Sequence, residues 1–142
     1  MAERNSAESY SMHNILVGIE DPALRDQVRT ALKVFPSIRG APIQRGLLLD
    51  LLSGGGVPAA VIVDYQRGRS GADPFIEAIR AANRDVHVLA CAERPERPER
   101  PERNHFNKAK VDLDIFSFIP LPLDPFDLLR RLHRLVEALP AA

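Results

Sequence analysis

Three Asp-Pro pairs punctuate this chain, at Asp21-Pro22, Asp73-Pro74 and Asp124-Pro125, and each stands before a run whose apolar residues recur at helical spacing. An aspartate at the N-cap accepts from the orphan N–H groups of the first turn, and a proline at the first helical position loses an N–H that has no partner there anyway. The pairs therefore predict three helix starts. Behind the first, Leu24, Val28, Ala31, Leu32 and Phe35 share one face. Behind the second the face is Phe75, Ile76, Ile79 and Ala82, and behind the third Leu128, Leu129, Leu132, Leu135, Val136 and Leu139. Short apolar runs too brief for helices alternate with them: the run from Asn14 to Ile19, Ala59–Val63, Val86–Ala90 and Ile115–Ile119. Unbroken runs of this kind suit strands buried on both faces. Between Phe35 and Ser53, Pro36, Gly40 and Pro42 interrupt the pattern, which predicts a weak edge strand and then a short helix over Gly46–Leu52.

Strands alternating with helices imply right-handed crossovers and a parallel sheet covered on both faces, with five strands and five helices the natural count. The expected architecture is a doubly wound, three-layer α/β/α domain. Ligands and chemistry in such sheets collect outside the carboxyl ends of the strands, which directs attention to Glu20, Asp21, Asp64, Ala92 and Leu121. With 142 residues, 45% of them hydrophobic, the chain suits one compact domain, expected over residues 13–140 after a loose tail at 1–12. Glu93–Arg103 repeats Glu-Arg-Pro, and prolines at period three forbid helix and sheet, so an extended insertion is expected there.

Composition narrows the partners. The 19 basic and 19 acidic residues cancel, which argues against nucleic acid or an anionic membrane as the target of a bulk field. No run approaches the ~20 apolar residues that span a bilayer, and the N-terminus lacks the layout of a secretion signal. The single cysteine, Cys91, forbids an internal disulfide, so a reducing, cytoplasmic setting is expected. His13, His87, His105 and His133 show no metal-ligand spacing with each other or with Cys91. Gly54-Gly55-Gly56 precedes a strand instead of linking strand to helix, which makes it a turn and not a phosphate loop. No Gly-x-Ser-x-Gly elbow and no cysteine–histidine pair supports nucleophilic catalysis, so no catalytic residue is assigned and no enzyme is expected.

Val61-Ile-Val-Asp64-Tyr-Gln, Ser70-Gly71 and Phe118-Ile-Pro-Leu121-Pro122 fall in the order expected of a known family. The chain resembles the receiver (CheY-like) domain of response regulators, a flavodoxin-like fold, across Asn14–Leu139. By that resemblance Asp64 is the phosphoacceptor candidate, Phe118 the aromatic switch residue, and Pro122 the proline that a cis bond often precedes. Ala92 and Leu121 occupy the places of the hydroxyl residue and the lysine that contact the phosphoryl group, and neither can do so. The acidic pair has become Ile19-Glu20, leaving Glu20, Asp64 and the Gln66 carbonyl, with Asp21 as a substitute, for a weak, hydrated Mg²⁺ site. Either arginine of Arg67-Gly68-Arg69 could instead pair with Asp64.

The resemblance implies an atypical, degenerate receiver of two-component type, a pseudo-receiver with weak or no phosphorylation of Asp64. No output segment follows the last helix before Ala142, which implies a stand-alone member acting through protein contacts. Expected partners are a histidine kinase, another signalling protein or a second copy. In the family, helix four, strand five and helix five form the usual contact surface, and Arg130, Arg131 and Arg134 give the last helix a basic side. Two alternatives stand: a competent phosphoacceptor response regulator using Asp64, and a small enzyme on a flavodoxin-like sheet.

Overall fold

The computed structural model describes residues 13–65, 74–93 and 114–139. Five strands and four helices alternate within them: β1 (His13–Gly18), α1 (Pro22–Leu32), β2 (Ile38–Pro42), α2 (Arg45–Ser53), β3 (Ala60–Asp64), α3 (Pro74–Ala82), β4 (His87–Glu93), β5 (Ile115–Leu121) and α4 (Pro125–Ala138). All neighbouring strands pair parallel, in the order β2-β1-β3-β4-β5. This is the doubly wound sheet expected from the sequence, with its switch point between β1 and β3.

The Asp-Pro signals act as their chemistry requires. Asp21 Oδ1 accepts from Ala23 N at 3.1 Å and Asp124 Oδ1 from Phe126 N at 3.0 Å, each with a proline in the first turn. Asp73 lies outside the described residues, but the helix behind it begins at Pro74 as expected. The broken stretch after Phe35 does hold an edge strand, β2, and Gly40 there is needed for space. A Cβ at Gly40 would stand 2.6 Å from Leu32 Cδ1, so the missing side chain lets α1 lie close against the edge. The glycine triplet is the turn after α2, with Gly55 at φ +92°.

Two apolar layers sandwich the sheet. On one face Leu24, Val28 and Leu32 of α1 and Leu128, Leu132 and Leu135 of α4 pack on Ile15, Val17, Ile62, Leu89 and Ile119. On the other, Leu48 and Leu52 of α2 and Ile76 and Ile79 of α3 pack on Val61, Val63, Val88 and Ala90. The central strand β3 is fully buried from Ala60 to Val63, which is why its sequence does not alternate. Four helices are found where five were expected. The fifth would connect β4 to β5, and that connection lies outside the described residues, as does the tail at 1–12; of the Glu-Arg-Pro repeat only Glu93 is described, and it ends β4 instead of opening the insertion. Among the described residues no helix is long and apolar enough to cross a membrane.

Candidate functional site

Parallel strands deliver their last residues to one edge, and here that edge brings together Glu20 after β1, Asp64 ending β3, Ala92 near the end of β4 and Leu121 ending β5. Asp64 pairs in register with Cys91, so its side chain leaves the sheet at the lip of the buried core. The residue that meets it was not singled out from the sequence. Arg45, the first residue of α2, donates from Nη2 to Asp64 Oδ1 at 2.9 Å and to the Asp64 main-chain oxygen at 2.6 Å. Its guanidinium carbon lies 4.3 Å from the centre of the Phe75 ring, an approach at which the ring face attracts the cation. The side chains of Arg45 and Asp64 are only 19% and 18% exposed, so their charges meet in a poorly hydrated setting.

One signal in the sequence could have pointed to Arg45. A cation in the first turn of a helix opposes the macrodipole and calls for an acidic partner nearby. The sheet order supplies one, since α2 starts where β2 returns the chain to the carboxyl edge. The two arginines considered for this pairing, Arg67 and Arg69, lie outside the described residues.

The acidic residues divide: Glu20 and Asp64 both approach the Arg45 guanidinium, while Asp21 caps α1. Glu20 is 68% exposed, with Oε1 3.9 Å from Arg45 Nε. Asp21 is exposed and occupied in capping α1. Gln66 lies outside the described residues. Among the described residues no group of three or more His, Cys, Asp or Glu side chains could hold a metal ion. The Asp64 carboxylate already receives the Arg45 guanidinium, while a Mg²⁺ ion needs several oxygens turned to a common centre.

Four further residues singled out from the sequence lie on β4, on β5 and just after it. Ala92 is buried and pairs with Pro120, offering no hydroxyl to the site. The Leu121–Pro122 peptide is cis. Phe118 is half-buried, its ring edge-on to Tyr65 with centroids 5.3 Å apart, so it packs inward beside the residue that follows Asp64. Leu121 ends β5 with an apolar side chain at the carboxyl edge. The basic side of α4 divides: Arg131 turns in, donating from Nε to Asp127 Oδ2 at 2.8 Å and from Nη1 to Ser117 Oγ at 2.7 Å. Arg130 reaches Asp127 Oδ1 at 2.5 Å, and Arg134 is exposed.

Cys91, one strand over from Asp64, is no nucleophile. Burial pushes its thiol up to about 12, and the Asp64 charge adds to the shift. Against an ordinary thiol near 8.5, alkylation by iodoacetamide at pH 8 should be about a thousandfold slower in the native protein than in urea. Comparable rates in the two states would mean that the strand edge opens.

An open five-stranded parallel sheet of this order is a flavodoxin-like arrangement, and solved receiver domains are among the structures that share it. The isolated REC domain of RcsB from Salmonella enterica serovar Typhimurium, solved with phosphomimetic BeF3-, superposes with a TM-score of 0.67 at 18% identity over 89% of this chain and 90% of its own. A response regulator CheY-like protein from Mesorhizobium loti gives 0.63 at 19% identity over 87% and 98%. A pilus assembly-related protein from Burkholderia pseudomallei gives 0.67 at 16% identity over 89% and 91%. The chain thus has the fold of receiver domains of response regulators. No family's sequence model matches it, and no curated protein does.

Proposed function

We propose that this chain is a receiver-like signalling protein of two-component type that works through protein contacts, with an Asp64 that accepts phosphate poorly or not at all. The observation that carries this reading is the Arg45 guanidinium on Asp64. Phosphoryl transfer to a carboxylate needs an oxygen free to attack and positive charge placed on the transferring group. Arg45 takes Asp64 Oδ1, and Ala92 and Leu121 supply neither hydroxyl nor ammonium for the phosphoryl oxygens. The same ion pair gives the carboxyl edge one standing charge state, which a partner can read without phosphorylation.

On this reading the protein is not an enzyme and is cytoplasmic. Its partner is a histidine kinase, another signalling protein or a second copy, met on the surface that β5 and α4 contribute. On α4 the exposed Arg134 is then the cation offered to an acidic partner, since Arg131 is drawn inward and Arg130 pairs with Asp127. Incubation with acetyl phosphate and Mg²⁺, followed by intact mass, tests the proposal. The expected result is no stoichiometric gain of a phosphoryl group. Full conversion within minutes would establish the competent phosphoacceptor instead.

A further inference from the structure

Beside Arg45 lies a cleft of about 520 Å³, formed where β1 and β2 end against α1. Three guanidinium groups line it, Arg25 and Arg29 from α1 and Arg45 from α2, and Glu20 is the single carboxylate among the lining residues. Arg25 and Arg29 stand four residues apart on one helical face, where like charges repel. Both are half-buried, so water screens that repulsion only in part. The donors are also under-used: Nε of Arg29 and Nε of Arg45 are buried and have no hydrogen-bond partner among the described residues. A buried N–H without an acceptor is costly, and an oxyanion arriving at the accessible nitrogens of these guanidinium groups would relieve the repulsion.

We propose that this cleft binds a small phosphate-bearing anion, gripped by Arg25 and Arg29 and bordered by Arg45. The planar fork of arginine matches the oxygens of a phosphate group, and Ile19 and Ile43 provide an apolar wall for the rest of such a ligand. The cleft opens at the carboxyl ends of the strands, the place where doubly wound sheets take ligands. Its polarity is the reverse of a Mg²⁺ site. The proposal uses the observed position of Arg45 but does not depend on whether Asp64 takes phosphate.

Calorimetric titration and thermal melts of the full chain with sodium pyrophosphate and with AMP, at ionic strength held constant with NaCl, test it. The expected result is saturable binding that raises Tm, weakened at least tenfold by Arg25→Gln and by Arg29→Gln, and unchanged by Lys33→Gln at the end of the same helix. If Arg29→Gln fails to fold, Arg25→Gln decides. No saturable binding, or binding that both arginine variants retain, would overturn the proposal, and citrate binding as tightly as pyrophosphate would overturn the choice of phosphate. Neither arginine enters the phosphorylation test, so the two proposals can fail separately.

Discussion

Asp127→Ala is expected to cost the fold about 3 kcal/mol, a fall in Tm on the order of 10 °C for a domain of this size. Asp127 is buried in the first turn of α4 and accepts from Arg131 at 2.8 Å and Arg130 at 2.5 Å. Removing it leaves Arg131, whose side chain is only 26% exposed, with Ser117 as its remaining partner in this network. Arg130 is largely exposed and can turn out to water, which keeps the cost at the lower end of the range for a broken buried pair. The loss also carries a pH signature. The hydrogen bond from Arg131, with further help from Arg130, holds the Asp127 carboxyl below the usual carboxylate range against the upward push of burial. A carboxyl lowered in the native state contributes stability that is present in full above its unfolded value, near 3.9, and disappears as pH falls through the native value. The gap in Tm between wild type and Asp127→Ala should therefore be constant around neutrality and close below about pH 4. A gap that stays the same at pH 3 would show that packing, not charge, makes the difference.

Arg80→Ala is expected to be comparably damaging, at about 2–4 kcal/mol, because one guanidinium ties together three parts of the lower sheet edge. From the last turns of α3, Nη1 donates to the main-chain oxygens of Val86 at 2.6 Å and Arg84 at 3.1 Å, and Nη2 to that of Asp114 at 2.7 Å. These oxygens lie just before β4 and β5, so the side chain sets where both strands begin. Burial lowers the Arg80 pKa, while Asp114 and Asp85 oppose that shift and help keep the guanidinium charged. Arg80→Lys should recover only part of the loss, since an ammonium cannot fork to Val86 and Asp114 at once. Thermal melts of the two variants, with hydrogen exchange at the first residues of β4 and β5, check this. Equal stability of Arg80→Lys and wild type would show that a single bond suffices.

Much of the architecture could be read from local chemistry. The Asp-Pro pairs mark helix starts because both residues act within one turn, and the short apolar runs mark strands because β1, β3 and β4 lie between two helical layers. Pro42 signalled an edge strand for a local reason too, an unpaired side that tolerates a missing donor, whereas Gly40 answers to the packing of Leu32. The fifth helix followed from the alternation of strands and helices and not from a helical pattern of its own, and the residues that would hold it are not described.

The candidate site divides along the same line. Missing groups are visible residue by residue, since Ile19, Ala92 and Leu121 carry no carboxylate, hydroxyl or ammonium whatever their surroundings. Gains are not, because Arg45 meets Asp64 across 19 positions, from a helix start that only the pairing of β2 with β1 brings to the carboxyl edge. The basic side of α4 shows the same limit: helical spacing puts Arg130, Arg131 and Arg134 near one another, but a Ser117 that faces inward on β5 is what draws Arg131 off the surface. Element type and the absence of particular chemistry follow from the sequence alone, because capping, strand burial and side-chain identity are properties of one residue or one turn. The partner that Asp64 finds was decided by the tertiary structure, because an ion pair between separate elements acts over a few ångströms in space and has no fixed spacing along the chain, whereas the pairs of Asp127 with Arg130 and Arg131 stand at helical spacing.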